Sequence, residues 1–322
     1  MADFGGSLVA NGTNCSLAIG QEATTYGVLG TELWSSLIDE ISVGRVDEVY
    51  EGRGITSVRT PTVLLTTSSR YNVSIKGKVD SGIPFAMIGG AISKADDPLI
   101  TIFRGASHVT PTKVFLPSWS VKRTFDDESD NLTILGTTFG TGTFSCDLDG
   151  PWMFDLSGVG KSQTTDAATG VSIPTTMLGS WNTTVAIDKD ATSYSSSDGS
   201  VMGLKNVSFT INQNTRSRNE FGTVLPIAIR QTKYGVSNIE LTFTRGHIDD
   251  DLWTIIADGG VNSFNIATTD GTVTLSHNFN ECSATSTEQT INLDDETTET
   301  CTMTVRDWTC TVTDGITYPA WV

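Results

Sequence analysis

A chain of 322 residues with 20 basic and 37 acidic side chains, formally −17 at neutral pH, lacks the basic footprint of a nucleic-acid binder. Its hydrophobic content of 38%, with abundant Ser, Thr, Asn and Gly, suits many short strands joined by polar turns and excludes a helical bundle. No run approaches the roughly 18 apolar residues of a membrane helix. The opening Met-Ala-Asp-Phe-Gly-Gly-Ser has no basic segment of a secretory signal, so the chain is expected to be soluble and made in the cytoplasm.

In chain order, residues 1–29 are expected to form an N-terminal arm. Leu33, Trp34, Leu37, Ile38 and Ile41 share one stripe at helical spacing, which predicts a helix over 31–41. After a short apolar segment at 63–66, Tyr71, Val73 and Ile75 alternate with Arg70, Asn72, Ser74 and Lys76, the mark of a half-buried antiparallel strand. Pro84 in a first turn, with Phe85, Ile88 and Ile92 on one face, predicts a helix over 83–94, weakened by Gly89-Gly90. Strands are expected at 99–103 and 113–121. Phe144, Cys146 and Leu148 then oppose Thr143, Ser145, Asp147 and Asp149. Val207, Phe209 and Ile211 oppose Asn206, Ser208, Thr210 and Asn212. A short apolar segment at 227–231 precedes a strand at 239–245. A helix is predicted over 249–258, with three aspartates at its start and Gly259 at its end, followed by strands at 264–267 and 272–279. The order of strand, helix and two strands thus occurs twice. It divides the chain into the arm, a first module over 30–199 and a second over 200–322.

Motifs for chemistry are weak. Gly160-Lys161-Ser162 resembles the end of a phosphate-binding loop, but Asp155 stands where the first glycine belongs and no helical period follows; a mobile loop between two strands is expected instead. The histidines are His108, His247 and His277, and neither a Gly-x-Ser-x-Gly elbow nor a His-Glu-x-x-His pair accompanies them. Asp126, Asp127, Glu128 and Asp130, and likewise Asp188 with Asp190, read as solvated hairpin tips. Thr192 replaces the next ligand that a calcium loop needs. Asn-x-Ser/Thr sequons begin at Asn11, Asn14, Asn72, Asn131, Asn182 and Asn206, and a cytoplasmic chain leaves these bare. Cys15, Cys146, Cys282, Cys301 and Cys310 show no Cys-x-x-Cys spacing, and buried free thiols are favoured over a disulfide. No cofactor, metal or enzymatic activity is expected.

Three segments carry a resemblance: Gly20-Gln-Glu-Ala-Thr-Thr-Tyr-Gly27, Phe115-Leu-Pro-Ser-Trp-Ser-Val-Lys-Arg123, and the strand ending in Arg216-Ser-Arg-Asn-Glu-Phe-Gly222. Together they resemble the major tail tube proteins of long-tailed (siphovirus-like) bacterial or archaeal viruses, with the C-terminal third matching least. The resemblance implies a mainly-β antiparallel sandwich or barrel with short flanking helices. It implies rings of subunits stacked into a hollow tail, inner strands closing a barrel around passing double-stranded DNA, and residence in the virion after assembly in the host cytoplasm. Expected partners are further copies of the chain, the tape-measure protein, and the tail terminator and distal tail proteins. Thr143, Ser145, Asp147, Asp149, Asn206, Ser208, Thr210 and Asn212 are the expected lumen-facing residues. Two modules in one chain predict a trimeric, pseudo-sixfold ring; the competing arrangement is a hexamer of single modules with an added domain from about Gly259. A carbohydrate- or surface-binding β-sandwich, using tryptophans such as Trp181 and Trp308, is the alternative function.

Overall fold

Apolar residues alternating with Ser, Thr and Asn give each segment one dry and one wet face, and this alternation makes strand the dominant element. The computed structural model describes residues 15–22, 26–28, 34–52, 63–94, 100–104, 116–125, 132–165, 174–189, 192–196, 204–231, 238–246, 261–291 and 297–318. The first half contains β1 (Cys15–Gln21), β2 (Leu37–Gly52), β3 (Val63–Lys78), the helix α1 (Ile83–Ile88), β4 (Ala91–Lys94), β5 (Ile100–Arg104), β6 (Trp119–Phe125), β7 (Leu132–Asp147), β8 (Trp152–Gly160) and β9 (Ser162–Thr164). After a 3-10 turn at Ser180–Asn182 come β10 (Thr183–Lys189), β11 (Thr192–Ser195), β12 (Leu204–Asn212), β13 (Thr215–Arg218), β14 (Ala228–Gln231), β15 (Asn238–Gly246), β16 (Val261–Thr269), β17 (Thr274–Thr290) and β18 (Thr298–Thr313).

The principal layer is an antiparallel sheet in the order β2-β3-β8-β7-β12-β15-β18-β17. Two of its strands are long enough to serve a second layer as well. The early residues of β7 pair with β6 and β9, and its later residues with β8 and β12. The early residues of β17 pair with β16 and β18, and its last residues, Ser283–Thr290, with β18 alone. The second layer therefore holds β1-β6-β7-β9 from one half and β10-β16-β17-β18 from the other. One topology recurs in both halves. In chain order β2, β3, β7 and β8 lie first, second, fourth and third across the sheet, and β12, β15, β17 and β18 repeat that order.

The core lies between the layers, with α1 inside it. All six residues of α1 are buried. Phe85 stacks on Phe144 at 4.4 Å and meets the edge of His277 at 4.5 Å, while Phe209 from the principal layer contacts Phe279 from the second at 4.9 Å. Pro84 sits in the first turn of the helix, and the Gly82 N–H just before it donates to Asp314 Oδ2 at 2.9 Å. Tyr318 Oη donates to the same oxygen at 2.6 Å, which ties the C-terminal segment to the helix entry.

Several sequence expectations are corrected. Residues 15–21 form β1, whose Leu17 and Ile19 are buried in the core, so this part of the 1–29 segment is an integral strand. Of the helix expected over 31–41, the described residues 34–41 are not helical: Trp34 bridges Ile19, and β2 begins at Leu37. The helix expected over 83–94 ends at Ile88, because Gly89 turns to extended backbone (φ −63°, ψ 138°), and Ile92 lies in β4. The apolar segment at 63–66 is the start of β3. The loop expected around Gly160-Lys161-Ser162 is only a bend at Lys161, between strands β8 and β9. The helix expected over 249–258, together with His108, His247, the 126–130 carboxylates and Asp190, lies outside the described residues.

Candidate functional surface

The seven expected lumen residues on strands share one face. Direct cross-strand pairs join Asp147 to Asn206, Ser145 to Ser208 and Thr143 to Thr210 along the β7–β12 seam, and Asn212 pairs with Thr141. Thr143 and Thr210 hydrogen-bond through their hydroxyls at 3.0 Å, and Asn206 Nδ2 donates to Asp147 Oδ1. The eighth, Asp149, is a turn residue with φ 63°, beyond the end of β7. Leu148 is exposed beside it instead of facing inward with Phe144 and Cys146.

The polar face is wider than these residues. One rung runs Glu40, Lys76, Asp155, Thr143, Thr210, Glu240, Thr304 and Ser283, one residue from each strand of the principal layer. The next runs Leu37, Lys78, Met153, Ser145, Ser208, Thr242, Thr302 and Ser286. Threonine hydroxyls bond one another across strands here too, Thr242 to Thr302 at 3.2 Å and Thr244 to Thr300 at 3.0 Å. The signal for the added positions was present in β18, where Thr298, Thr300, Thr302 and Thr304 alternate with Glu299, Cys301, Met303 and Val305. Both lysines of the face are held by carboxylates. Lys76 lies 3.5 Å from Glu40 and 3.7 Å from Asp155, and Lys78 lies 3.2 Å from Asp39. Glu240, Asp147 and Glu288 add further negative charge, so the face is polar and mildly acidic. An open depression of about 440 Å³ on it is lined by Ser42, Asn72, Ser74, Thr141 and Ser157.

The structure also joins two segments that carried the sequence resemblance. The buried Glu22 carboxylate accepts hydrogen bonds from Ser118 Oγ (2.8 Å), Ser120 Oγ (3.0 Å), Gly136 N (2.7 Å) and Gly27 N (2.7 Å). Lys161, from the rejected phosphate-loop motif, donates to the Tyr26 carbonyl at 3.2 Å and lies over the Tyr26 ring.

Chemically reactive groups are muted by burial. Cys146, Cys282, Cys301 and Cys310 are free and buried, and burial pushes the Cys146 and Cys282 thiols up to about 12. His277 is fully enclosed, and burial pulls its pKa down to about 3. Its Nδ1 accepts from Trp308 Nε1 at 3.3 Å, leaving Nε2 3.9 Å from Cys310 Sγ. Trp308 is buried and Trp181 is 59% exposed, so of the two tryptophans expected at a surface only Trp181 is there. Among the described residues no helix is long and apolar enough to cross a membrane, and no group of three or more His, Cys, Asp or Glu side chains is placed to hold a metal. No protein-family model matches the chain, and no curated protein matches it in sequence.

Proposed function

We propose that this chain is a structural virion protein, a tail tube subunit that assembles with copies of itself into stacked rings through which double-stranded DNA is delivered. The observation that carries the reading is the eight-stranded layer whose one face is core and whose other face is mostly polar, with Leu37 and Met153 among its few apolar members. A wet sheet face of short hydroxyls, with its lysines already paired to carboxylates, offers phosphates few unneutralised cations, and DNA slides past such a wall instead of adsorbing. The tape-measure, terminator and distal tail partners follow from the resemblance alone. The chain's twofold strand order supports two tube modules per chain. β10, on the first-module side of the expected boundary at residue 200, pairs with β16 of the second, and β5 pairs with β18, so the two halves share strands across that boundary.

Negative-stain microscopy of the purified protein tests the reading. Rings or tubes with an axial channel are expected, and particles that remain monomeric at high concentration would refute it. The second reading, a carbohydrate-binding sandwich, draws support from the exposed Trp181. A monomer that binds glycans and loses binding with Trp181→Ala would establish it in place of the first.

A further inference from the structure

β7 changes layers at a bulge. Up to Leu135 it pairs with β6 and β9 of the second layer, and from Thr138 onward with β8 of the principal one. Between Ile134 and Thr137 its register against β6 shifts, and Gly136 there is left-handed at φ 66°. Across this corner Gln21 of β1 is directly opposed to Trp119 of β6, and Trp119 to Thr137 of β7. Opposed residues on neighbouring antiparallel strands share a face, with Cβ atoms about 4.5–5.5 Å apart. This face is the core side. Gln21 is 3% exposed and the other two 0%. The Trp119 ring lies 6.2 Å from that of Trp34, and a Cβ added at Gly160 would come within 3.2 Å of Thr137 Oγ1.

Four side-chain atoms on this one rung are buried without a hydrogen-bond partner: Gln21 Nε2 and Oε1, Trp119 Nε1 and Thr137 Oγ1. Buried polar groups are otherwise almost always paired, with protein or with ordered solvent. Three adjacent strands that each bury such a group side by side therefore mark a place for a ligand. Donor and acceptor chemistry selects its class. The indole only donates, whereas the amide and the hydroxyl both donate and accept. An anion would take the indole and amide protons but leave Gln21 Oε1 unpaired. A metal cation would take oxygens but leave the Trp119 N–H unpaired. The neighbouring Glu22 carboxylate is already committed to Ser118, Ser120, Gly136 and Gly27. A small neutral molecule that both donates and accepts fits every atom, and water does so with the two to four partners it requires.

We infer that Gln21, Trp119 and Thr137 hold ordered water, which joins β1, β6 and β7 at the bend where β7 passes from one layer to the other. Independently of the tube reading, this accounts for Gln and Thr at core-facing positions beside Ile19, Val121 and Ile134. A bulge interrupts the backbone ladder, and bridging water restores cross-strand bonds where the ladder is broken.

A high-resolution crystal structure of the full chain, grown in sodium bromide, tests the inference. The expected result is water about 2.7–3.2 Å from Trp119 Nε1 and from Gln21 or Thr137, with no anomalous signal. An anomalous bromide peak at that point would make the ligand an anion and overturn it. So would a direct hydrogen bond from Trp119 to Gln21 or Thr137 with no density between the strands. In solution, Thr137→Val keeps the side-chain shape and the strand propensity while removing one partner of the water. Its unfolding equilibrium constant, from urea denaturation of dilute protein, should rise about fivefold. A dry, unpaired hydroxyl predicts the opposite sign, so a constant that is unchanged or lower would overturn the water site.

Discussion

Replacing His277 by Phe removes an acid-sensitive point from the core. In the folded chain the imidazole is enclosed by Phe85, Phe209, Phe279 and Trp308. Its Nδ1 is already taken as an acceptor by Trp308 Nε1, so a second proton would set two donors against each other. Burial accordingly lowers its pKa from 6.5 to about 3. The unfolded chain takes up a proton below about pH 6.5, whereas the folded chain refuses it until about pH 3. His277 therefore contributes stability in full above pH 6.5, and that contribution declines as pH falls toward 3. The loss is about 2 kcal/mol at pH 5 and about 4 kcal/mol at pH 3. Comparison with the variant isolates the effect between pH 7 and 5, since other groups, including the Asp80 carboxyl that burial raises, are common to both proteins. Urea denaturation of dilute, unassembled protein, followed by tryptophan fluorescence at half-unit pH steps, measures it. The wild-type midpoint should fall between pH 7 and 5 while that of His277→Phe changes much less, whatever the variant's absolute stability. Parallel curves for the two proteins over that interval would refute the reasoning.

Substituting Lys for both Ser208 and Thr210 leaves a folded, assembled protein, because both side chains sit on the wet face. Tubes of that variant should retain duplex DNA with an affinity that falls steeply with salt, read by anisotropy at two ionic strengths; salt-independent retention would count against a lumen position. Beyond the last β3–β8 pair, Tyr71 with Gly160, the β2–β3 hairpin continues as a two-stranded arm exposing Val49, Tyr50, Leu64 and Leu65. Changing Tyr50, Leu64 and Leu65 to Ser should leave rings intact and shorten or abolish tubes in electron micrographs, and full-length tubes would remove the arm from stacking. Deleting residues 1–20 takes out most of β1 with buried Leu17 and Ile19, each worth about 1.5–3 kcal/mol. The truncated chain should lose about 3–6 kcal/mol of stability by denaturation, and an unchanged midpoint would show that β1 is dispensable.

The strands that pack against the core were legible because burial on one side imposes a period of two, as in Val207, Phe209 and Ile211. The failures have local causes. Around Asp39 a bulge shifts the β2–β3 register between Ile38 and Glu40, so Leu37, Ile38 and Ile41 do not keep a strict alternation. The resulting spacing imitates a helical stripe. At 83–94 the apolar period ran on past Ile88 because Ile92 is also buried, although it packs from a strand. The polar face was legible at the β7–β12 seam, where whole alternating heptapeptides stood out, but its width was not. Width depends on which strands are neighbours, and the pairings of β3 with β8 or of β15 with β18 bring together residues far apart in the chain. The interiors of β7 and β17, each divided between two layers, are likewise set by tertiary packing and leave no mark in local periodicity.

On the proposed reading, threonine on this face suits the competing demands of a DNA-passing wall. Lysine in quantity would hold phosphates, and each contact would add salt-dependent affinity. Carboxylates in quantity would repel one another across neighbouring strands, a cost that grows when copies close into a ring. Threonine has high strand propensity and a hydroxyl short enough to stay near the backbone. Where two threonines are directly opposed, as at Thr143–Thr210, Thr242–Thr302 and Thr244–Thr300, each hydroxyl takes the other as its partner. The face then stiffens the sheet through its own cross-strand bonds and has fewer donors left for a passing ligand. The same pairing requires that no strand slip by one residue, since a slip would send every hydroxyl into the core and every Phe into water. A hydroxyl ladder of this kind serves both demands at once. It keeps the face wet with few free donors, and it locks the register of the sheet.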